Sequence, residues 1–132
     1  MNKKLPAFTL TELMMVLVII GILILLALPN LQGIIGQAHS LEAQKQLKYI
    51  QNLEKAYYQQ HFQYTDNFQA LHFEPPVLKS AGGDGVYIYE IINASKEGFT
   101  ARATASEDFD EDGQMNVWEI GKTGSYRETV PD

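Results

Sequence analysis

Residues 8–30 read FTLTELMMVLVIIGILILLALPN, and from Leu13 to Leu28 there is no charge and nothing more polar than Gly21. At about 1.5 Å of rise per residue, a helix from Phe8 to Leu28 spans roughly 30 Å, the thickness of a bilayer's hydrocarbon layer. The stretch therefore predicts a membrane-spanning helix at the N-terminus. Lys3 and Lys4 precede it and basic residues are scarce just after it, which predicts an N-in, C-out orientation. Glu12 breaks the apolar pattern. An ionised carboxylate at hydrocarbon depth costs about 2.5–3.5 kcal/mol, so a cationic partner is expected for it.

Outside this segment the chain has the composition of one small soluble domain. The 132 residues are 45% hydrophobic and 20% charged, which excludes disorder as the overall state. The absence of cysteine excludes a disulfide framework, a thiolate zinc site and a thiol nucleophile. A formal charge of −6 argues against nucleic-acid binding, which needs a basic footprint to displace phosphate counterions.

A cut before Phe8 would place a new α-amino group one helical turn from Glu12 and supply the missing cation, in the same subunit or a neighbouring one. Here the residues carry a resemblance. The short basic leader, the small residue Ala7 followed by Phe8, then Thr9-Leu10-Thr11-Glu12 and the apolar run resemble the class III signal of type IV pilins and pseudopilins. The resemblance implies that a prepilin peptidase cleaves between Ala7 and Phe8 and methylates the Phe8 amine, and that Glu12 guides subunit docking. Ala7 stands where the family more often has Gly. A secretory signal peptide has a shorter apolar core, of about 7–15 residues, and no glutamate. A plain uncleaved anchor leaves Glu12 without a purpose.

Pro29, Gly33 and Gly36 predict a kink or melted turn just beyond the apolar run, since proline removes an intrahelical hydrogen bond and glycine weakens a helix. The family resemblance implies bends at Gly21 and Pro29. Beyond them, Ala38, Leu41, Leu47, Ile50, Leu53 and Tyr57 recur at mostly helical spacing and predict an amphipathic helix to about His61. From Phe8 to His61 such a helix would be a rod of about 80 Å. Tyr57, Tyr58 and Tyr64 read as border aromatics between helix and sheet. Strands are predicted at Val86–Ile92 and Phe99–Ala105, with a third and fourth at Asn116–Ile120 and Tyr126–Val130, separated by Gly- and Asn-rich turns. The expected fold class is α+β: a pilin-like lollipop whose long helix packs on an antiparallel sheet of three or four strands. The segments are a leader (1–7), a transmembrane and polymerisation helix (8–30), an amphipathic helix (31–62) and a globular β domain (63–132).

Asp108-Phe109-Asp110-Glu111-Asp112-Gly113-Gln114-Met115-Asn116-Val117-Trp118-Glu119 fits the calcium-loop spacing D-x-D-x-D-G followed by a glutamate at the twelfth position. Asp108, Asp110 and Asp112 would turn inward, Gly113 would permit the bend, and Gln114 would give its carbonyl. Asn116 would act directly or through water, and Glu119 would close the shell. Without a cation these acids repel one another. The alternative is a solvated acidic turn that staples the last strands through side-chain to backbone bonds. Strands rather than helices flank the loop, so any Ca²⁺ would be structural. Pilins and pseudopilins often carry an Asp/Gly-rich loop followed by a Trp, here Trp118.

His39, His61 and His72 are isolated, and the chain contains no nucleophile-base constellation or phosphate loop, so no catalysis is expected. The sequence is read as a structural subunit of a type IV pilus or pilus-like filament, held in the inner membrane before assembly and located in a pilus or periplasmic pseudopilus afterwards. Its partners would be other subunits and the bilayer. By resemblance they would also include the prepilin peptidase, an assembly ATPase and a platform protein. A type II secretion pseudopilin and a membrane-anchored calcium-binding module are the alternatives.

Overall fold

The computed structural model describes residues 6–28 and 31–131. They form α1 (Leu10–Ala27), α2 (Leu31–His61), β1 (Tyr87–Ala94), β2 (Phe99–Ala105), β3 (Val117–Gly121) and β4 (Tyr126–Val130). The α+β expectation holds: a long N-terminal helical segment precedes a four-stranded antiparallel sheet in the order β1-β2-β3-β4. The chain divides into two units at Gln32/Gly33. Helix α1 runs without interruption through Gly21. Pro29, the other bend expected from the sequence, lies outside the described residues, as do Lys3 and Lys4.

The second unit is a sheet laid on one stripe of α2. Ala43, Leu47 and Ile50 are fully buried, at the i, i+4, i+7 spacing that puts them on one helix face. Ala38 and Leu41, which the sequence spacing assigned to this stripe, are exposed instead. The inner face of the sheet carries Tyr87 and Tyr89 from β1, Phe99, Ala101, Ala103 and Ala105 from β2, and Ile120 from β3, all buried in one cluster with the helix stripe. Alternation along β2 is complete, as expected of a half-buried strand. Small alanines in its centre give large side chains room at close-packed density. The aromatic border forms as expected: Tyr58 stacks on Tyr64, and Tyr64 tilts against Phe99 with ring centroids 5.0 Å apart.

Between α2 and β1 the chain folds back on itself. The Gly85 amide donates to the Val77 carbonyl at 2.8 Å and the Gly83 amide to the Leu78 carbonyl at 3.0 Å. Any Cβ at Gly83 would collide with the Val77 backbone. Gly124, in the β3–β4 turn, has φ +80°, and a Cβ there would meet Gln51 Nε2 at 2.6 Å.

That contact belongs to a buried polar clamp. Gln51 and Glu54 are both fully buried, one turn apart on α2. Gln51 Nε2 donates to the Lys122 carbonyl at 3.2 Å, tying the helix to the β3–β4 turn. Glu54 Oε2 accepts the Thr65 amide at 3.1 Å, tying the helix to the loop that follows it. Burial raises the Glu54 carboxyl from 4.5 to about 7; the Thr65 amide opposes this and the Asp66 charge adds to it. The folded state therefore holds an extra proton between pH 4.5 and about 7, and stability falls as pH rises through that window. The loss is on the order of 3 kcal/mol. Urea melts of the wild type across this range should show the decline, and Glu54→Gln should flatten it. A Glu54→Gln protein with the same slope would refute the assignment.

Candidate assembly site and acidic loop

The start of α1 is fixed by the residues that carry the signal. Thr9 is extended, with φ −77° and ψ 156°. Its Oγ1 accepts the Glu12 amide at 3.3 Å, while Glu12 Oε2 accepts the Thr9 amide at 3.0 Å. This reciprocal pair is a capping box, which satisfies two of the donors that every helix start leaves open. The carboxylate also lies in the first helical turn, where the helix dipole favours a negative charge. Glu12 thus has a local partner that sequence reasoning missed. The Thr-x-x-Glu pattern ahead of an apolar run was the signal for it.

Ala7 and Phe8 precede the helix and are exposed, Phe8 at 85%. No residue of α1 is buried. Its 18 residues, of mean hydropathy 2.8, are long and apolar enough to cross a membrane. The exposed surface includes Leu10, Leu13, Ile19, Leu23 and Leu26, so it is apolar on every side.

In the acidic loop the structure divides the six residues named from the sequence. Asp108, Asp110 and Asp112 converge, with one oxygen from each lying within 4.8 Å of the others. The loop is shaped by its own backbone amides. Gly113 donates to Asp108 Oδ2 at 2.7 Å, Asp112 to Asp110 Oδ1 at 3.2 Å and Gln114 to Asp112 Oδ1 at 2.7 Å. Glu111 at φ +61° and Gly113 at φ +89° turn the chain. The Gly113 amide lowers the Asp108 carboxyl below its usual range, whereas desolvation raises that of Asp110, joined by the Asp108 and Asp112 carboxylates. Asp108 Oδ1 is buried without a hydrogen-bond partner among the described residues. A carboxylate oxygen left so is costly, and three hard oxygen donors with one such atom fit a divalent cation of the calcium type.

The other predicted ligands are engaged elsewhere. Gln114 reaches Asp112 with its side chain at 3.5 Å, leaving its carbonyl as the donor the motif would use. Asn116 is 1% exposed and turns inward, accepting from the Tyr87 hydroxyl at 2.7 Å and donating to Glu128 at 2.9 Å and the Val130 carbonyl at 3.0 Å. Glu119 lies on β3, and its Oε1 takes Arg102 Nε at 2.9 Å and Nη2 at 2.8 Å. The reason is the element type. In a calcium loop followed by a helix the twelfth residue curls back toward the ion, whereas strand alternation aims residue 119 at the sheet's outer face, opposite Arg102. Phe109 anchors the loop by stacking on His39 of α2 at 4.4 Å, with Tyr87 at 6.0 Å. Neither contact was legible from spacing. Among the described residues, His61 stacks on Tyr57 at 4.0 Å.

No family model matches the chain. It is 34% identical over 74 residues to the type IV major pilin protein PilA of Myxococcus xanthus (strain DK1622). That match covers 56% of this chain and about a third, 34%, of the relative's length. The chain is therefore similar to a type IV major pilin, and its N-terminal apolar helix fits a pilin-like signal helix.

Proposed function

We propose that the protein is the structural subunit of a type IV pilus-like filament, cleaved between Ala7 and Phe8, methylated on the new amine, and assembled through α1. The observation that carries the reading is the helix Leu10–Ala27, apolar on all sides and wholly exposed, with a carboxylate fixed in its first turn beside the Ala7–Phe8 junction. Lipid can cover such a surface, and so can the same helix from other subunits, because its backbone polar groups are satisfied internally. The subunit waits in the inner membrane, N-in, and leaves it as neighbouring helices replace lipid. Glu12 Oε2 is used by the capping box; Oε1 remains to receive the methylated amine of Phe8 from this or the next subunit. Similarity to a major pilin supports the pilus over the secretion pseudopilus. The peptidase, an assembly ATPase and a platform protein are the partners this pathway requires.

The acidic loop supports a second, structural element of the proposal. Asp108, Asp110, Asp112 and the Gln114 carbonyl hold Ca²⁺, with Glu119 on β3 and Asn116, just before it, engaged elsewhere. An extracytoplasmic setting supplies a weak site of this kind with its ion.

Intact-mass measurement of the protein from its host should give a chain that begins at Phe8 with one methyl group; a chain retaining Met1 would sink the proposal. Glu12→Ala and Glu12→Gln should both insert into the membrane and both fail to form filaments. Gln preserves the capping box, so filaments from Glu12→Gln alone would show that the cap, and not the charge, is what assembly needs. Calcium should raise the melting temperature of the wild type, by an amount equivalent to about 2.7 kcal/mol at a hundred times its Kd. It should leave Asp110→Ala unmoved; equal shifts in the two proteins would overturn the site.

A further inference from the structure

The outer face of the sheet carries a row of alternating charge. Glu90, Arg102, Glu119 and Arg127 stand opposite one another in register across β1, β2, β3 and β4. Arg102 satisfies the middle of the row: it holds Glu119 through two nitrogens, at 2.8 and 2.9 Å, and Glu90 more loosely at 3.6 Å. The ends are held loosely or not at all. Glu90, on the edge strand β1, keeps 52% of its side chain exposed. Arg127, on the edge strand β4, is exposed and forms no ion pair among the described residues.

Each end sits in a patch of different shape. Glu90 is flanked by Ile88, 52% exposed on the same face, and by Ile92, 36% exposed where the strand bulges. This is an exposed apolar ridge with an acid in the middle. Arg127 instead borders a groove of about 430 Å³ lined by Thr100, Glu119, Gly121, Ser125 and Tyr126. Gly121 provides no side chain, so the face is hollow there, and Tyr126, 40% exposed, gives an apolar wall.

We infer that the sheet is an interface between copies of this chain: the β1 ridge of one copy seats in the β4 groove of the next, with Glu90 meeting Arg127. Charge selects this occupant. Pairing two β1 edges opposes Glu90 to Glu90, pairing two β4 edges opposes Arg127 to Arg127, and only β1 against β4 brings opposite signs together. The two patches are different surfaces, so the contact is heterologous and repeats from copy to copy rather than closing as a dimer. The inference rests on the filament reading and adds to it a second, domain-level contact.

Because the chain contains no cysteine, a disulfide reports this contact directly. Filaments of Glu90→Cys plus Arg127→Cys, mildly oxidised, should run on a non-reducing gel as a ladder of dimers, trimers and longer species, while each single variant runs as monomer. Filaments that form but cross-link no further in the double variant than in the singles would overturn the contact alone. Absence of filaments from the unaltered chain would overturn the filament reading and this contact with it. Arg127→Glu should lower the salt concentration at which filaments come apart, and Glu90→Arg combined with it should restore that concentration. A swap that restores nothing would likewise refute the pairing.

Discussion

The constraint on which everything else depends is that α1 buries nothing. Each large apolar side chain left in water forgoes about 1.5–3 kcal/mol relative to burial, and α1 exposes twelve Leu, Ile and Val side chains and two Met. That sum exceeds the entire net stability of a small domain, about 5–15 kcal/mol. The helix must be covered, and its backbone needs no help from whatever covers it. Lipid and like helices are therefore exchangeable environments, and a process that moves α1 from one to the other has no large hydrophobic penalty to overcome. Gly21, with nothing near the position a Cβ would take, leaves room for another backbone to come close, as small residues do where membrane helices pack.

The domain that follows has a core of its own. Its core begins at Ala43 and draws on α2, the loop residues Leu71 and Phe73, and the inner face of the sheet. The polar clamp at Gln51 and Glu54 adds specificity to this apolar cluster. One turn of α2 holds both the loop at Thr65 and the turn at Lys122, so the two ends of the β segment are referred to the same few residues. Burying Glu54 is costly, and the raised carboxyl pKa is the sign of that cost.

What the sequence disclosed and what it concealed follow from the range of the interactions involved. Helices, strands and turns were legible because hydrophobic period and turn chemistry are local; β4 begins and ends where its pattern does. The α2 stripe was displaced because Gln51 and Glu54, polar by type, occupy core positions that only the loop and the β3–β4 turn justify. The capping box is equally local, written in the Thr-x-x-Glu pattern ahead of the apolar run. The acidic loop showed its three converging aspartates through spacing alone. Glu119 and Asn116 share that spacing, and contacts more than ten residues away in sequence, to Arg102, Tyr87 and Glu128, fixed them instead.

The pairing of Arg102 with Glu119 links two features that look unrelated. Had Glu119 turned back to the loop, the aspartate cluster would hold a fourth carboxylate and Arg102 would lose its closest partner. As Glu119 faces outward, the converging cluster is made of the three aspartates alone. On the sheet, the same choice occupies the acid opposite Arg127 and leaves that guanidinium facing solvent. Arg102 and Glu119 are both partly buried and meet through two short contacts, so this pair is not a loose surface contact of the kind that contributes little, and it matters also for what it withholds. It occupies the acid that stands opposite Arg127, and so leaves at the sheet edge a charge suited to something outside the chain.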